Sequence, residues 1–124
     1  MLSAFLQVAL GGAIGSSARF GVGVALVREG SGFPVAVLTV NVVGSFLMGI
    51  AVVYLGQKSL PHLTPLFMTG LLGGFTTFSA FSLEAYTLFE RGAVGQAAAY
   101  VALSVILSLA ALVAGIFIMR GLLA

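Results

Sequence analysis

The sequence predicts an all-α integral membrane protein of four transmembrane helices, the third of them broken. Three observations carry this expectation. The 124 residues are 60% hydrophobic and only 6% charged, whereas soluble domains average about 45–50% apolar and about 25% charged. The apolar residues fall into long runs separated by short polar turns. Inside the third run lies a glycine- and hydroxyl-rich interruption, Gly73 to Ser79. A bilayer core takes roughly 20 apolar residues per helix, so residues 1–124 supply a single four-helix domain with no room for a soluble one.

The first helix is expected over residues 2–27. The chain start lacks the positively charged region of a cleaved signal, so this run is read as the first helix of the mature protein. Arg28-Glu29-Gly30-Ser31-Gly32 closes it as a polar turn. The second helix is expected over 34–55, with Pro34 suited to a helix start and Gly56-Gln57-Lys58 as its end. The third is expected over 64–89, closed by Glu90-Arg91-Gly92, and the fourth over 93–119, ending at Arg120. His62 falls between prolines in a loop and receives no role.

Charge excludes more than it suggests. Five Lys/Arg against three Asp/Glu are scattered, without the cluster that grips phosphates or an anionic lipid surface. The absence of cysteine removes disulfides, thiolate catalysis and cysteine-ligated metals. Four crossings place Lys58 and Arg120 on one side and Arg28 and Arg91 on the other. Loop Lys/Arg bias sets orientation, so a balance of two against two permits insertion in either direction, which an antiparallel dual-topology homodimer would use, unless one further charge or the insertion machinery fixes a single orientation. Gly11, Gly12, Gly15, Gly44, Gly49, Gly70 and Gly74 are small residues at spacings that allow close helix approach, within or between subunits.

Polar side chains at membrane depth are costly and face a bundle interior or a watery cavity. Asn41 offers two N–H donors, to an anion or to another helix. Tyr100, Ser104 and Ser108 recur every four residues, a stripe about 12 Å long on the fourth helix. Gly73-Gly74-Phe75-Thr76-Thr77-Phe78-Ser79 joins weak helix formers to hydroxyls that compete for backbone bonds. A helix opened here frees carbonyls suited to Na⁺ or K⁺. Phe78 and Phe81 share a helix face beyond the break, either as packing aromatics or as ring edges, the positive end of the aromatic quadrupole, offered to an anion. Arg19 and Glu84 lie about 12 Å and about 8 Å from their helix ends, as snorkelling anchors or interior groups.

Together these residues resemble a known family, the CrcB/Fluc fluoride channels. GLLGGFTTFSAFSLE, Gly70 to Glu84, looks like that family's third-helix signature. Gly11-Gly12 to Arg19-Phe20 and Asn41-Val42-Val43-Gly44-Ser45-Phe46 look like its first- and second-helix motifs. The resemblance implies a passive fluoride exporter in the cytoplasmic (inner) membrane that relieves fluoride toxicity. It implies an antiparallel homodimer with two pores and a structural Na⁺ at its centre, held by the backbone carbonyls of Gly73 and Thr76. Phe78 and Phe81 would be the pore phenylalanines. Asn41, Tyr100, Ser104 and Ser108, with Thr77 and Ser79, would line the fluoride pathway, Glu84 would sit near an entrance, and Arg19 would serve the vestibule or the structure. Ala80 and Ala36-Val37 depart from the family pattern, where hydroxyls often stand.

Two other function classes compete. A small multidrug-type transporter has the same helix count, but it needs an intramembrane carboxylate, typically in the first helix, where this chain has Arg19. A non-transporting assembly subunit would account for the glycines but not for Asn41 and the hydroxyl stripe. An enzyme is not expected, because neither Glu84 nor Arg19 has a sequence-evident nucleophile or metal partner.

Overall fold

The computed structural model describes residues 1–26 and 32–124, and all of its regular elements are helical. Four helical spans are long and apolar enough to cross a membrane. Helix α1 runs Leu2–Ala25. The expected end at Val27 and the polar turn Arg28 to Ser31 lie outside the described residues. Helix α2 runs Val35–Gln57, with Pro34 as its N-cap. It extends past Leu55 through Gly56 and Gln57 and then closes on itself. Leu60 N–H donates to Leu55 O at 2.8 Å and Ser59 N–H to Gly56 O at 3.3 Å, with Ser59 at φ 55°. This is the Schellman arrangement, built here on a serine in place of the usual glycine.

The third span is compound. A 3₁₀ turn, Pro61–Leu63, leads into a π-wound segment, Pro65–Leu72, and then a single α turn, α3, Gly73–Phe75. Thr76 and Thr77 are extended, and α4 resumes over Phe78–Glu90. A second Schellman closure ends α4: Ala93 N–H reaches Leu88 O and Gly92 N–H reaches Phe89 O, each at 3.0 Å, with Gly92 at φ 86°. Helix α5 runs Val94–Leu123. It continues beyond the expected end at Met119, so Arg120 sits in its last turn, where a cation opposes the carbonyl end of the helix dipole.

Packing follows the glycines. Helix α1 lies against the π-wound segment and α3, and α2 lies against α5. A Cβ on Gly15 would collide with the Leu71 carbonyl, and one on Gly74 would stand 2.9 Å from the Gly12 carbonyl oxygen. On the other pair, Gly49 abuts the Leu112 carbonyl and Gly115 the Phe46 carbonyl. These glycines therefore bring backbone onto backbone within one chain. Helix α4 joins the second pair through a small core in which Leu88, Ala97 and Tyr100 pack with Phe81 and Phe33. Large apolar side chains such as Phe5, Phe20, Phe78 and Phe117 are exposed, as expected where lipid replaces water as the surrounding medium.

Candidate functional site

The break is narrower than the sequence suggests, and it does not fall on the glycines. Gly73 and Gly74 both remain helical, and Gly74 sets its bare backbone against Gly12 and Ser16 of α1. The chain opens one residue later, at Thr76 (φ −90°, ψ 160°) and Thr77 (φ −154°, ψ 118°). Thr76 N–H makes the last helical bond, to Leu72 O at 3.1 Å, and its own hydroxyl donates to the same carbonyl at 2.9 Å.

Backbone polar groups at membrane depth must find partners, and here side chains supply them. Thr77 N–H donates to Asn41 Oδ1 at 2.8 Å, and Asn41 Nδ2 donates to Thr77 O at 3.1 Å. Thr77 Oγ1 caps α4 by accepting Ala80 N–H at 3.1 Å. Arg19 Nε donates to Gly74 O at 3.0 Å. In an unbroken helix, Thr77 N–H would serve Gly73 O and Ala80 N–H would serve Thr76 O. Both amides are diverted, so Gly73 and Thr76 are carbonyls whose helical partners have been taken. They are the same two carbonyls that the resemblance assigns to a cation. Among the described residues no group of three or more His, Cys, Asp or Glu could hold a metal, so a cation at this place would rest on backbone oxygens.

Beside the break lies a cavity of about 480 Å³, lined among others by Asn41, Thr77, Phe78, Phe81, Ser104 and Ser108. Phe78 and Phe81 have ring centroids 5.5 Å apart, and Phe78 is 78% exposed. Tyr100 is completely buried, its ring 5.3 Å from Phe81 and edge-on to Phe33 at 5.6 Å. Ser82, Thr39 and Thr87 all bond back to their own helix, the ordinary fate of a hydroxyl in a helix. Tyr100, Ser104 and Ser108 do not: their buried oxygens have no hydrogen-bond partner among the described residues. Leaving a buried hydroxyl unpaired costs about 1–3 kcal/mol, and three such groups in line on α5 form a row of open donors. Among the described residues the cavity lining includes no carboxylate.

The other expected residues lie apart from this cavity. Glu84 is half-buried on α4 and does not line it. Ser79 is exposed and sits 3.3 Å from the Thr77 hydroxyl. Arg19 lines a second space of about 370 Å³ with Phe20, Val37, Thr77 and Ala80. His62 is exposed in the 3₁₀ turn. Sequence reasoning missed Ser45 and Met48 in the cavity wall and Phe33 against Tyr100. Ser45 and Met48 lie four and seven residues beyond Asn41, a helical spacing that marks the same face. Phe33 has no such signal, since it belongs to a loop.

Fold and site together define a polytopic α-helical membrane protein with a largely apolar cavity that carries hydroxyl and amide donors beside a broken helix. Residues 6–116 match the model of the family described as CrcB-like protein, Camphor Resistance (CrcB), and the chain belongs to that family. It is 61% identical over 125 residues to a protein of Ruegeria sp. (strain TM1040), covering 99% of each chain. It is 61% identical over 122 residues to one of Cereibacter sphaeroides (strain ATCC 17029 / ATH 2.4.9), covering 98% of each. With one of Paracoccus denitrificans (strain Pd 1222) it shares 52% over 124 residues and the full length of both. All three relatives bear the name fluoride-specific ion channel FluC, the name of a channel and not of an enzyme.

Proposed function

We propose that this chain is a fluoride-selective channel that lets fluoride leave the cell passively across the cytoplasmic (inner) membrane, relieving fluoride toxicity. The observation that carries the proposal is the pair of serines, Ser104 and Ser108, unpartnered among the described residues in the wall of a cavity edged by Phe78 and Phe81, with the unpartnered Tyr100 hydroxyl one turn before Ser104 on α5. The name shared by the full-length relatives supports the choice of ion.

Fluoride is small and strongly hydrated, so a pathway must replace its water with directed donors. Serine and tyrosine hydroxyls can turn their hydrogens toward an anion, and Asn41 keeps a second N–H after donating one to Thr77. The positive ring edges of Phe78 and Phe81 add a weak contact that does not trap the ion as a full charge would. Fluoride then moves down its electrochemical gradient, and no coupling site is required.

The working unit in this proposal is an antiparallel, dual-topology homodimer with the bilayer around it. The exposed Phe78 belongs to a face that a second copy would cover. The diverted carbonyls of Gly73 and Thr76 fit a Na⁺ between the subunits, where it would supply a fixed positive charge near the break. Passive fluoride efflux from liposomes holding the purified protein, with chloride as the control ion, tests the function. Fluoride-selective efflux is expected, and a rate equal to that of empty liposomes overturns the proposal.

A further inference from the structure

The amide of Asn41 is engaged on both sides by one residue of another span: its oxygen accepts Thr77 N–H at 2.8 Å and its nitrogen donates to Thr77 O at 3.1 Å. Only a side chain with a donor and an acceptor side by side can do both. Thr77 carries the backbone amide that a continuous helix would return to Gly73 O. Thr77 is held extended at φ −154°, and that amide points to Asn41 instead. The same Asn41 lines the 480 Å³ cavity, so one amide touches both the break and the anion space.

We infer that Asn41 is a positioning residue: its two-point clamp on Thr77 holds the third helix open and keeps the Gly73 carbonyl free for a cation. Without the clamp, Thr77 N–H has a ready partner four residues back, and α3 lengthens until it occupies that carbonyl. The cavity and the cation position are thus coupled through one side chain. Loss of the clamp therefore weakens cation binding and also disturbs an amide in the cavity wall. The consequence for a cation rests on the Na⁺ site proposed above; the clamp itself rests on the two hydrogen bonds.

The test uses the full chain, purified in detergent, with two readouts other than flux. The first is the pair of Thr77 Cα and Cβ NMR shifts, which distinguish extended from helical backbone. The second is the Na⁺ concentration that gives half of the Na⁺-dependent rise in melting temperature. In Asn41→Ala, the Thr77 shifts are expected to move toward helical values, and the Na⁺ midpoint to rise about tenfold or more. In Asn41→Asp, the ionised acid repels Thr77 O while the protonated acid offers one O–H and one C=O as the amide does. Its Thr77 shifts are therefore expected to return toward wild type as the pH falls, which also guards against a variant that merely misfolds. Thr77 shifts that stay extended in Asn41→Ala, with an unchanged Na⁺ midpoint, overturn the clamp and leave Asn41 as an anion contact alone. A wild type whose melting ignores Na⁺ counts against the cation reading only, and the Thr77 shifts then uphold or overturn the clamp by themselves.

Discussion

Arg19 and Gly74, 55 positions apart in the chain, are joined by a hydrogen bond of 3.0 Å from the guanidinium Nε to the backbone carbonyl. An arginine in the last third of α1 thus satisfies a backbone carbonyl of a different span, two residues before that span opens at Thr76. Arg19→Ala leaves the Gly74 carbonyl without this donor. A charged hydrogen bond contributes about 1.5–3 kcal/mol, and a fall in melting temperature of the purified protein is expected. Arg19→Lys recovers little, because an ammonium cannot reproduce the geometry of the planar guanidinium. A melting temperature unchanged in both variants would show that Arg19 lies free of the break.

The hydroxyls of α5 should behave in the opposite way. Ser104 and Ser108 have no partner to lose among the described residues, so Ser104→Ala and Ser108→Ala are expected to leave stability unchanged or slightly improved. Fluoride efflux from liposomes is expected to drop about tenfold for each, the loss of one directed donor. Reduced stability with normal efflux would make these serines packing residues and remove them from the pathway.

Phe78 and Phe81 are 5.5 Å apart yet differ in setting. Phe81 packs with the buried Tyr100 core, while Phe78 is 78% exposed. Phe81→Ala is expected to lower both stability and efflux. Phe78→Ala is expected to impair efflux far more than it alters the folding of the single chain, through the loss of a ring edge at the cavity. Thermal melting paired with liposome efflux separates the two, and wild-type efflux in Phe78→Ala would exclude its ring from the pathway.

The interlocked glycines give a stability series. A Cβ on Gly15 or Gly49 would run into backbone carbonyls of Leu71 and Leu112, and backbone cannot swing aside as a side chain can. Gly15→Ala and Gly49→Ala are expected to cost about 1–3 kcal/mol each. Gly95 and Gly121 have open space where a Cβ would stand, so alanine there is expected to be neutral or to gain up to about 1 kcal/mol of helix propensity. Chemical denaturation in mixed micelles measures the difference, and equal effects at all four sites would contradict the close approach.

Orientation can be read with the cysteine-free background. Gln57 is exposed at the end of α2, and Gln57→Cys leaves the loop charges unchanged. A maleimide that cannot cross membranes, added outside intact cells, is expected to label about half of the chains, because balanced loop charges favour neither insertion. Labelling of nearly all or none establishes a single orientation and excludes the antiparallel dimer.

What the sequence determined by itself is the number of spans, their limits to within a few residues, the polar inventory and the presence of a break in the third run. These features are local: apolar length, glycine pairs and competing hydroxyls can each be read without knowing a neighbour. The resemblance then supplied the family, which the full-length relatives bear out. Tertiary structure decided where the break falls: Gly73 and Gly74 look like helix breakers in sequence, yet both are helical, with Gly74 seated against α1. It also decided that Asn41 binds Thr77 backbone, that Arg19 reaches Gly74, and that Ser104 and Ser108 forgo bonds to their own helix. Each of these outcomes depends on which donor meets which acceptor between distant spans. A linear pattern carries no such information, because inside a membrane every backbone group must find its partner in the folded chain.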